Sequence, residues 1–250
     1  MIESLLAIDI GNTKVKSCIY KSNSEGGDFL SFNSIEEIDR YYQSQSFGLI
    51  AVASVVPSLL EYYTNKHKND NNVFVVDKDK EFNIRFNNDY FRSIGIDRLC
   101  SLEGAFNFFK SEDNKNDLCL VIDFGTANTM SLINKSGLYL GGLISPGIET
   151  MFKSLNSNTA QLPLLEKPEY ISFLGNSTLA NIASGVYNSA LGLVFYTLEQ
   201  IERSYPNCTI EIYITGGNAA GLLNFFNFDY NYIPQLVLDG IKQVAIRNNQ

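Results

Sequence analysis

The sequence of 250 residues predicts an α/β protein built as two similar halves with a cleft between them. Three observations carry this prediction. Short apolar runs of strand length alternate with longer stretches of helical spacing. A segment near the start recurs 114 residues later, where LLAIDIGNTKVKSCIY (5–20) lies on CLVIDFGTANTMSLIN (119–134) with six of sixteen positions identical. The composition, 45% hydrophobic and 18% charged, is that of a globular chain, too apolar for disorder and too interrupted by polar residues for a membrane protein. The repeated residues are Leu6, Ile8, Asp9, Gly11, Ser17 and Ile19 against Leu120, Ile122, Asp123, Gly125, Ser131 and Ile133. A boundary in the polar stretch 110–117 gives halves 1–114 and 115–250.

The elements follow in order. Residues 5–10 read as a buried strand, 11–13 as a turn and 15–20 as a second strand, a β-hairpin that opens the fold. Residues 35–42 have helical spacing behind Ser34 as N-cap, with Glu37 three positions on. Residues 48–53 form a strand, Pro57 opens a helix that ends near Lys66, 73–76 form a strand, and 96–109 an amphipathic helix. The pattern then restarts with strands at 118–123, 130–133 and 138–144 and a helix from 147 to 155. After an irregular stretch at 158–171 come a long helix at 178–203, a strand at 210–214, a turn at 215–217 leading into a helix, and a closing helix at 236–246.

Charge and composition exclude several functions. With 27 acidic and 19 basic residues the net charge is -8, which repels the phosphate backbone and argues against nucleic acid and against a basic membrane anchor. The four cysteines, Cys18, Cys100, Cys119 and Cys208, form no CxxC, and their apolar settings predict buried free thiols. The single histidine, His67, lies in a polar stretch and reads as a solvated residue without a role, which removes Ser-His-Asp hydrolysis and HExxH metalloproteolysis. No basic leader and no long apolar run is present, so a cytoplasmic location is expected. No glycine precedes a lysine and no two glycines lie two apart, so neither the P-loop nor the Rossmann fingerprint occurs.

The chemistry must therefore fall to carboxylates and glycine turns. An Asp at the end of a buried strand projects into the cleft; Asp9 would hold Mg²⁺ through water, while the N–H groups of the following turn and the Thr13 hydroxyl bind phosphate. The second copy, Asp123 to Thr129, could bind a cation at Asp123 and a phosphate oxygen at Thr126; the other reading of each copy is an ordinary hairpin turn, since Asp, Gly and Asn are turn residues anyway. Gly216 and Gly217 allow a flat group to lie against the backbone at a helix start. Asp97 reads in two ways, as an ordinary acid at a helix N-terminus or as a base beside Arg98, which would bind a carboxylate or phosphate. Residues 141–147 line a pocket or make a tight connection.

Six motifs in order, DIGNTKVK (9–16), GIDR (95–98), DFGTANT (123–129), GGLISPG (141–147), GNST (175–178) and TGGNA (215–219), resemble type III pantothenate kinase. The resemblance implies the actin/hexokinase-like ATPase fold of two duplicated ribonuclease H-like halves. It implies ATP-dependent phosphorylation of the primary hydroxyl of pantothenate to 4′-phosphopantothenate, the first step of coenzyme A synthesis. Asp9, Ile10, Gly11, Asn12, Thr13, Lys14, Val15 and Lys16 would then form the first phosphate-binding segment, with Thr126, Gly216 and Gly217 also on ATP. Asp97 would accept the proton; Gly95, Ile96, Asp97, Arg98 and Thr178 would contact pantothenate; Asp123 would bind K⁺ or NH₄⁺. A homodimer would complete the pantothenate site. The family's substrate-contacting Tyr falls on Asn88 here and its Pro on Phe91, with Tyr90 two residues out of register, so Asn88 or Tyr90 takes that place. The alternatives are a sugar or acetate kinase of the same superfamily, or a ligand-sensing regulator without catalysis.

Overall fold

The computed structural model describes residues 3–22, 27–87, 89–111, 113–165 and 172–249. The first run of elements is β1 (Ser4–Ile10), β2 (Val15–Lys21), β3 (Gly27–Phe32), α1 (Ile35–Tyr42), β4 (Leu49–Ser54), α2 (Pro57–Lys66), β5 (Val73–Val75) and α3 (Ile96–Phe109). The second is β6 (Leu118–Phe124), β7 (Ala127–Asn134), β8 (Tyr139–Pro146), α4 (Ile148–Ser157), α5 (Thr178–Ser204), β9 (Ile210–Thr215), β10 (Asn231–Tyr232) and α6 (Leu236–Asn248). Among the described residues, no helix is long and apolar enough to cross a membrane.

Two five-stranded sheets result, ordered β3-β2-β1-β4-β5 and β10-β9-β6-β7-β8. Read from the other edge, the second sheet has the order of the first, so the sequence repeat is a repeat of topology. β1 sits at the centre of its sheet, antiparallel to β2 and parallel to β4. Every residue of β1 after Ser4 is buried, as expected of a strand covered on both faces. Ile8 and Ile10 are fully enclosed, each worth about 1.5–3 kcal/mol of hydrophobic stabilisation. β6 repeats this with Leu120, Ile122 and Phe124 buried.

By contact the chain forms two units, Met1–Asn114 with Ile133–Leu140 and Gln235–Gln250, and Lys115–Leu132 with Gly141–Pro234. The first unit thus holds more than residues 1–114. The tip of the β7–β8 hairpin joins it because Arg85 and Leu138 form a parallel bridge, with the Arg85 N–H donating to Gly137 O (2.9 Å) and the Tyr139 N–H to Arg85 O (2.8 Å). Helix α6 joins it by packing on α3. A Cβ at Gly240 would stand 1.8 Å from Cys100 O, and one at Gly104 2.3 Å from Leu236 O, so the two backbones touch where neither helix has a side chain. This packing also explains why α3 is buried on nearly every face and is not the amphipathic helix its spacing predicts.

Other expectations are corrected. The turn at 215–217 opens no helix but two short 3-10 turns, Ala219–Gly221 and Leu223–Phe225, since Gly221 and Asn224 disfavour a longer α-helix. β3 is a further strand, a largely exposed edge that offers no continuous apolar run. Cys18, Cys100 and Cys119 are buried, but Cys208 is exposed in the loop before β9. Burial raises the Cys100 and Cys119 thiols well above the ordinary range. His67 is not merely solvated: it caps α2, its ring nitrogens meet Asp70 (2.7 Å) and Asp39 (3.2 Å), and it packs on the Tyr63 ring.

Candidate active site

In the first unit, Asp9 is the penultimate residue of β1, opposite Lys16 on β2 and Ala53 on β4. The Asp9 side chain is only 6% exposed. The Gly11 N–H closes the following turn on Lys14 O (3.0 Å). Asn12, Thr13 and Lys14 are exposed, and the Lys14 ammonium donates to Asn33 Oδ1 (2.5 Å). Ile10 and Val15 point into the core, which leaves only their backbone to face a ligand. The C=O of Ile10 accepts from the Val55 N–H and the Ser54 hydroxyl, so β4 fixes the root of the turn.

Helix α3 begins behind Gly95. The Asp97 carboxylate folds back over that residue, and a Cβ at position 95 would lie 2.5 Å from Asp97 Oδ1. The same oxygen accepts from the Arg98 N–H at 2.7 Å. The Asp97 carboxylate thus sits half-buried at the N-terminal end of the helix. Arg98 is 7% exposed, and its guanidinium donates to the hydroxyls of Tyr90 (3.2 Å) and Tyr139 (3.3 Å). The rings of Tyr90 and Tyr139 stack with centroids 5.4 Å apart, and Phe86 lies 5.0 Å from Tyr139. Burial pushes the Tyr139 phenol up to about 12, with the Arg98 cation working the other way. Ile96 is buried, and Asn88 lies outside the described residues.

In the second unit, Asp123 is the penultimate residue of β6, opposite Thr215 of β9. Gly216 follows with φ +101, a conformation that suits glycine, and a Cβ there would lie 2.5 Å from Asp123 Oδ1. Gly125 is also close: its Cβ would lie 3.2 Å from that oxygen. The C=O of Thr126 accepts from the Gly147 N–H (3.0 Å) and the Thr150 hydroxyl (2.7 Å), and the Asn218 N–H donates to Phe124 O (3.0 Å). Three motifs read separately in the sequence are therefore tied into one cluster of loops. Beside it lies a pocket of about 310 Å³ lined by Ile148, Phe152, Leu164, Leu165 and Asn218 with the charged Glu149 and Lys153. Thr126 is exposed, and Gly217 has open space where a side chain would stand.

The sequence motifs thus fall into separate groups. Asp97, Arg98 and Tyr90 come together in the first unit, and Asp123, Thr126, Gly216 and Gly217 in the second. Thr178 is exposed as the first residue of α5, behind a Ser177 cap whose hydroxyl accepts from the Ala180 N–H. Tyr139 is the site residue that motif reading misses. It lies just before the Gly141–Gly142 pair, and no local signal tells that it meets Arg98.

The cation sites can be tested on this geometry. Among the described residues no three His, Cys, Asp or Glu side chains cluster as a metal site. Among the described residues, any cation would therefore draw on at most two such side chains, with backbone, phosphate or water oxygens completing its shell. Asp9 fits Mg²⁺, which keeps waters and shares phosphate oxygens with one or two carboxylates. At Asp123 the glycines bring backbone close to the carboxylate: a Cβ at Gly216 would lie 2.5 Å from both Asp123 Oδ1 and the Phe124 N, so backbone oxygens rather than side chains would have to complete a cation's shell there.

The family model for type III pantothenate kinase matches residues 5–200. A type III pantothenate kinase of Thermosipho africanus is 34% identical over 95% of this chain and 96% of its own length. That of Fervidobacterium nodosum is 33% identical over 86% and 87%. Among solved structures, a Baf family protein from Campylobacter jejuni superposes with a TM-score of 0.63 at 22% identity over 98% of both chains. The activator of 2-hydroxyisocaproyl-CoA dehydratase from Clostridium difficile, solved with bound ADPNP, gives 0.54 at 13% identity, covering 100% of this chain and 96% of that one. The fold is the duplicated one of the actin/hexokinase-like ATPases. Topology, motif order and these similarities agree, and the chain belongs to the type III pantothenate kinase family.

Proposed function

We propose that the protein transfers the γ-phosphoryl group of ATP to the primary hydroxyl of pantothenate, with Asp97 as the proton acceptor and Arg98 on the substrate. The observation that carries the residue roles is the start of α3, where a half-buried carboxylate adjoins a guanidinium held by two phenols. The hydroxyl oxygen attacks the γ-phosphorus, the bond to the β–γ bridging oxygen breaks, ADP leaves, and the hydroxyl proton passes to Asp97. A carboxylate is a weak base for an alcohol, so this proton moves late, as the oxygen loses its basicity to phosphorus. Arg98 attracts the substrate carboxylate and orients the hydroxyl toward Asp97.

ATP use follows from the family and the fold. Asp9–Lys16, Thr126, Gly216 and Gly217 are our assignment for its phosphates and nucleoside, with the apolar residues of the pocket beside Asn218 receiving the base. Mg²⁺ at Asp9 and K⁺ or NH₄⁺ at Asp123 would neutralise charge on the phosphates. Asn88 and Tyr90 remain assigned to the substrate, Tyr90 supported by its bond to Arg98, and Gly95, Ile96 and Thr178 are assigned there too. We read 1–114 and 115–250 as the two copies of the duplication. We also assign a homodimer: Phe173, Leu174, Leu179 and Tyr196, on α5 and just before it, are large apolar residues left exposed, and a second copy would cover them.

The test is ADP release with ATP, Mg²⁺ and pantothenate, in K⁺ and then in Na⁺. Pantothenate-dependent turnover that falls in Na⁺ and collapses in Asp97→Asn is expected. Turnover with a sugar or with acetate in place of pantothenate, or none at all from a folded protein that binds ATP, would overturn the reading. Sedimentation at micromolar concentration should give twice the chain mass; a monomer would remove the dimer.

A further inference from the structure

Arg98 is oriented by a residue 41 positions away, and the structure shows how that residue is delivered. The route begins on α3 itself. The buried Glu103 carboxylate accepts from the Asn83 N–H and side-chain amide (both 2.9 Å) and pairs with Arg247 (2.7 Å), which fixes the strand-like segment from Asn83 onward. That segment pairs with the hairpin tip through Arg85 and Leu138, and the Arg85 guanidinium donates to Ser136 O (2.7 Å). Gly137, at φ +76, lets the tip approach so closely that a Cβ there would meet Asn83 O at 2.9 Å. Tyr139 emerges two residues later, packed against the rings of Phe86 and Tyr90, with its hydroxyl on the guanidinium.

We propose that Tyr139 is a positioning residue, whose phenol holds the Arg98 guanidinium in the orientation that receives the substrate's carboxylate. The proposal rests on the reading of Arg98 given above. The physical reason for a phenol is charge. A free arginine side chain samples many rotamers, and that freedom must be lost on gripping an anion. A carboxylate at this point would fix the guanidinium but cancel its charge. A phenol accepts its hydrogen bond while staying neutral at pH 7, so the cation is ordered and still attracts an anion.

The test compares wild type with Tyr139→Phe, which keeps the ring and loses the hydroxyl, and Tyr139→Leu, which loses both. Pantothenate KM should rise about tenfold in Tyr139→Phe, the size expected for one hydrogen bond to a charged group. Its ATP KM and melting temperature should stay near wild type, and Tyr139→Leu should be no better. A pantothenate KM within twofold of wild type in Tyr139→Phe would overturn the proposal alone. So would a Phe variant that restores what Leu loses, since packing would then explain the site. Wild-type protein without pantothenate-dependent turnover would overturn the proposed function and this inference together.

Discussion

Helices α3 and α6 hold corresponding places in the two copies of the repeat, each after the last strand of its sheet, yet they carry different burdens. They cross with backbones in contact, Gly104 of one against Leu236 and Gly240 of the other against Cys100. The first turn of α3 bears Asp97 and Arg98 at its open end. The first turn of α6 bears Asp239, which is enclosed: its Oδ1 accepts from the Tyr20 hydroxyl at 2.7 Å, and Lys242 lies over the Tyr20 ring. On the assignment proposed above, one acid serves the substrate and the other serves packing. The lesson is that a duplicated fold needs both helices for its core but only one helix start for chemistry.

The largest effect expected from breaking this contrast is on rate. Asp97→Asn should lower kcat by about 10²–10⁴-fold, the usual contribution of a general base, and leave the melting temperature within a few degrees of wild type. A large loss of stability there would mean that Asp97 is also structural and the contrast false.

Next in size is the helix crossing. Gly240→Ala puts a Cβ into the Cys100 carbonyl and should cost about 3 kcal/mol, a fall of roughly 6–12 °C in a thermal melt. An unchanged melt would show that the helices slide apart at little cost.

Asp239 gives a test with a sign. Burial holds its carboxyl above the usual carboxylate range, opposed in part by the Tyr20 hydrogen bond and by Lys242. The folded state therefore binds the proton more tightly than the unfolded chain. The stability it contributes is complete below the unfolded pKa of about 3.9 and is lost as pH rises through the raised folded value. Asp239→Asn should melt higher than wild type at pH 7, and the gap should close toward pH 4. A lower melting temperature for the variant at pH 7 would contradict this.

The smallest effect separates two kinds of helix glycine. A Cβ at Gly192, inside α5, meets nothing within 4 Å, so Gly192→Ala should stabilise the chain by about 0.5–1 kcal/mol, read by urea unfolding. If the variant is destabilised and dissociates at low concentration, that face of α5 is covered by a second copy.

Much of this protein was legible from local pattern. The apolar runs of β1 and β6 announce buried strands whatever lies around them, and the Asp and Gly that end each run mark its turn. The long spacing of α5 and the Pro57 start of α2 are equally local. β3 was not legible because an edge strand needs few apolar residues. The 3-10 turns after Gly217 were not, because glycine and asparagine weaken a helix whose apolar residues still suggest one. His67 was misread because its two aspartates lie 3 and 28 positions away, one beyond any local window.

The sequence alone determined the repeat, the central strands, the motif set and the family, since each depends on residue order within a short window. Only the tertiary structure decided that α6 packs on α3, that Gly216 folds against Asp123, and that Tyr139 reaches Arg98. Those pairings join residues 140, 93 and 41 positions apart, as Gly240 with Cys100, Gly216 with Asp123 and Tyr139 with Arg98. They arise from how sheets twist and helices close on one another, which no periodicity along the chain encodes.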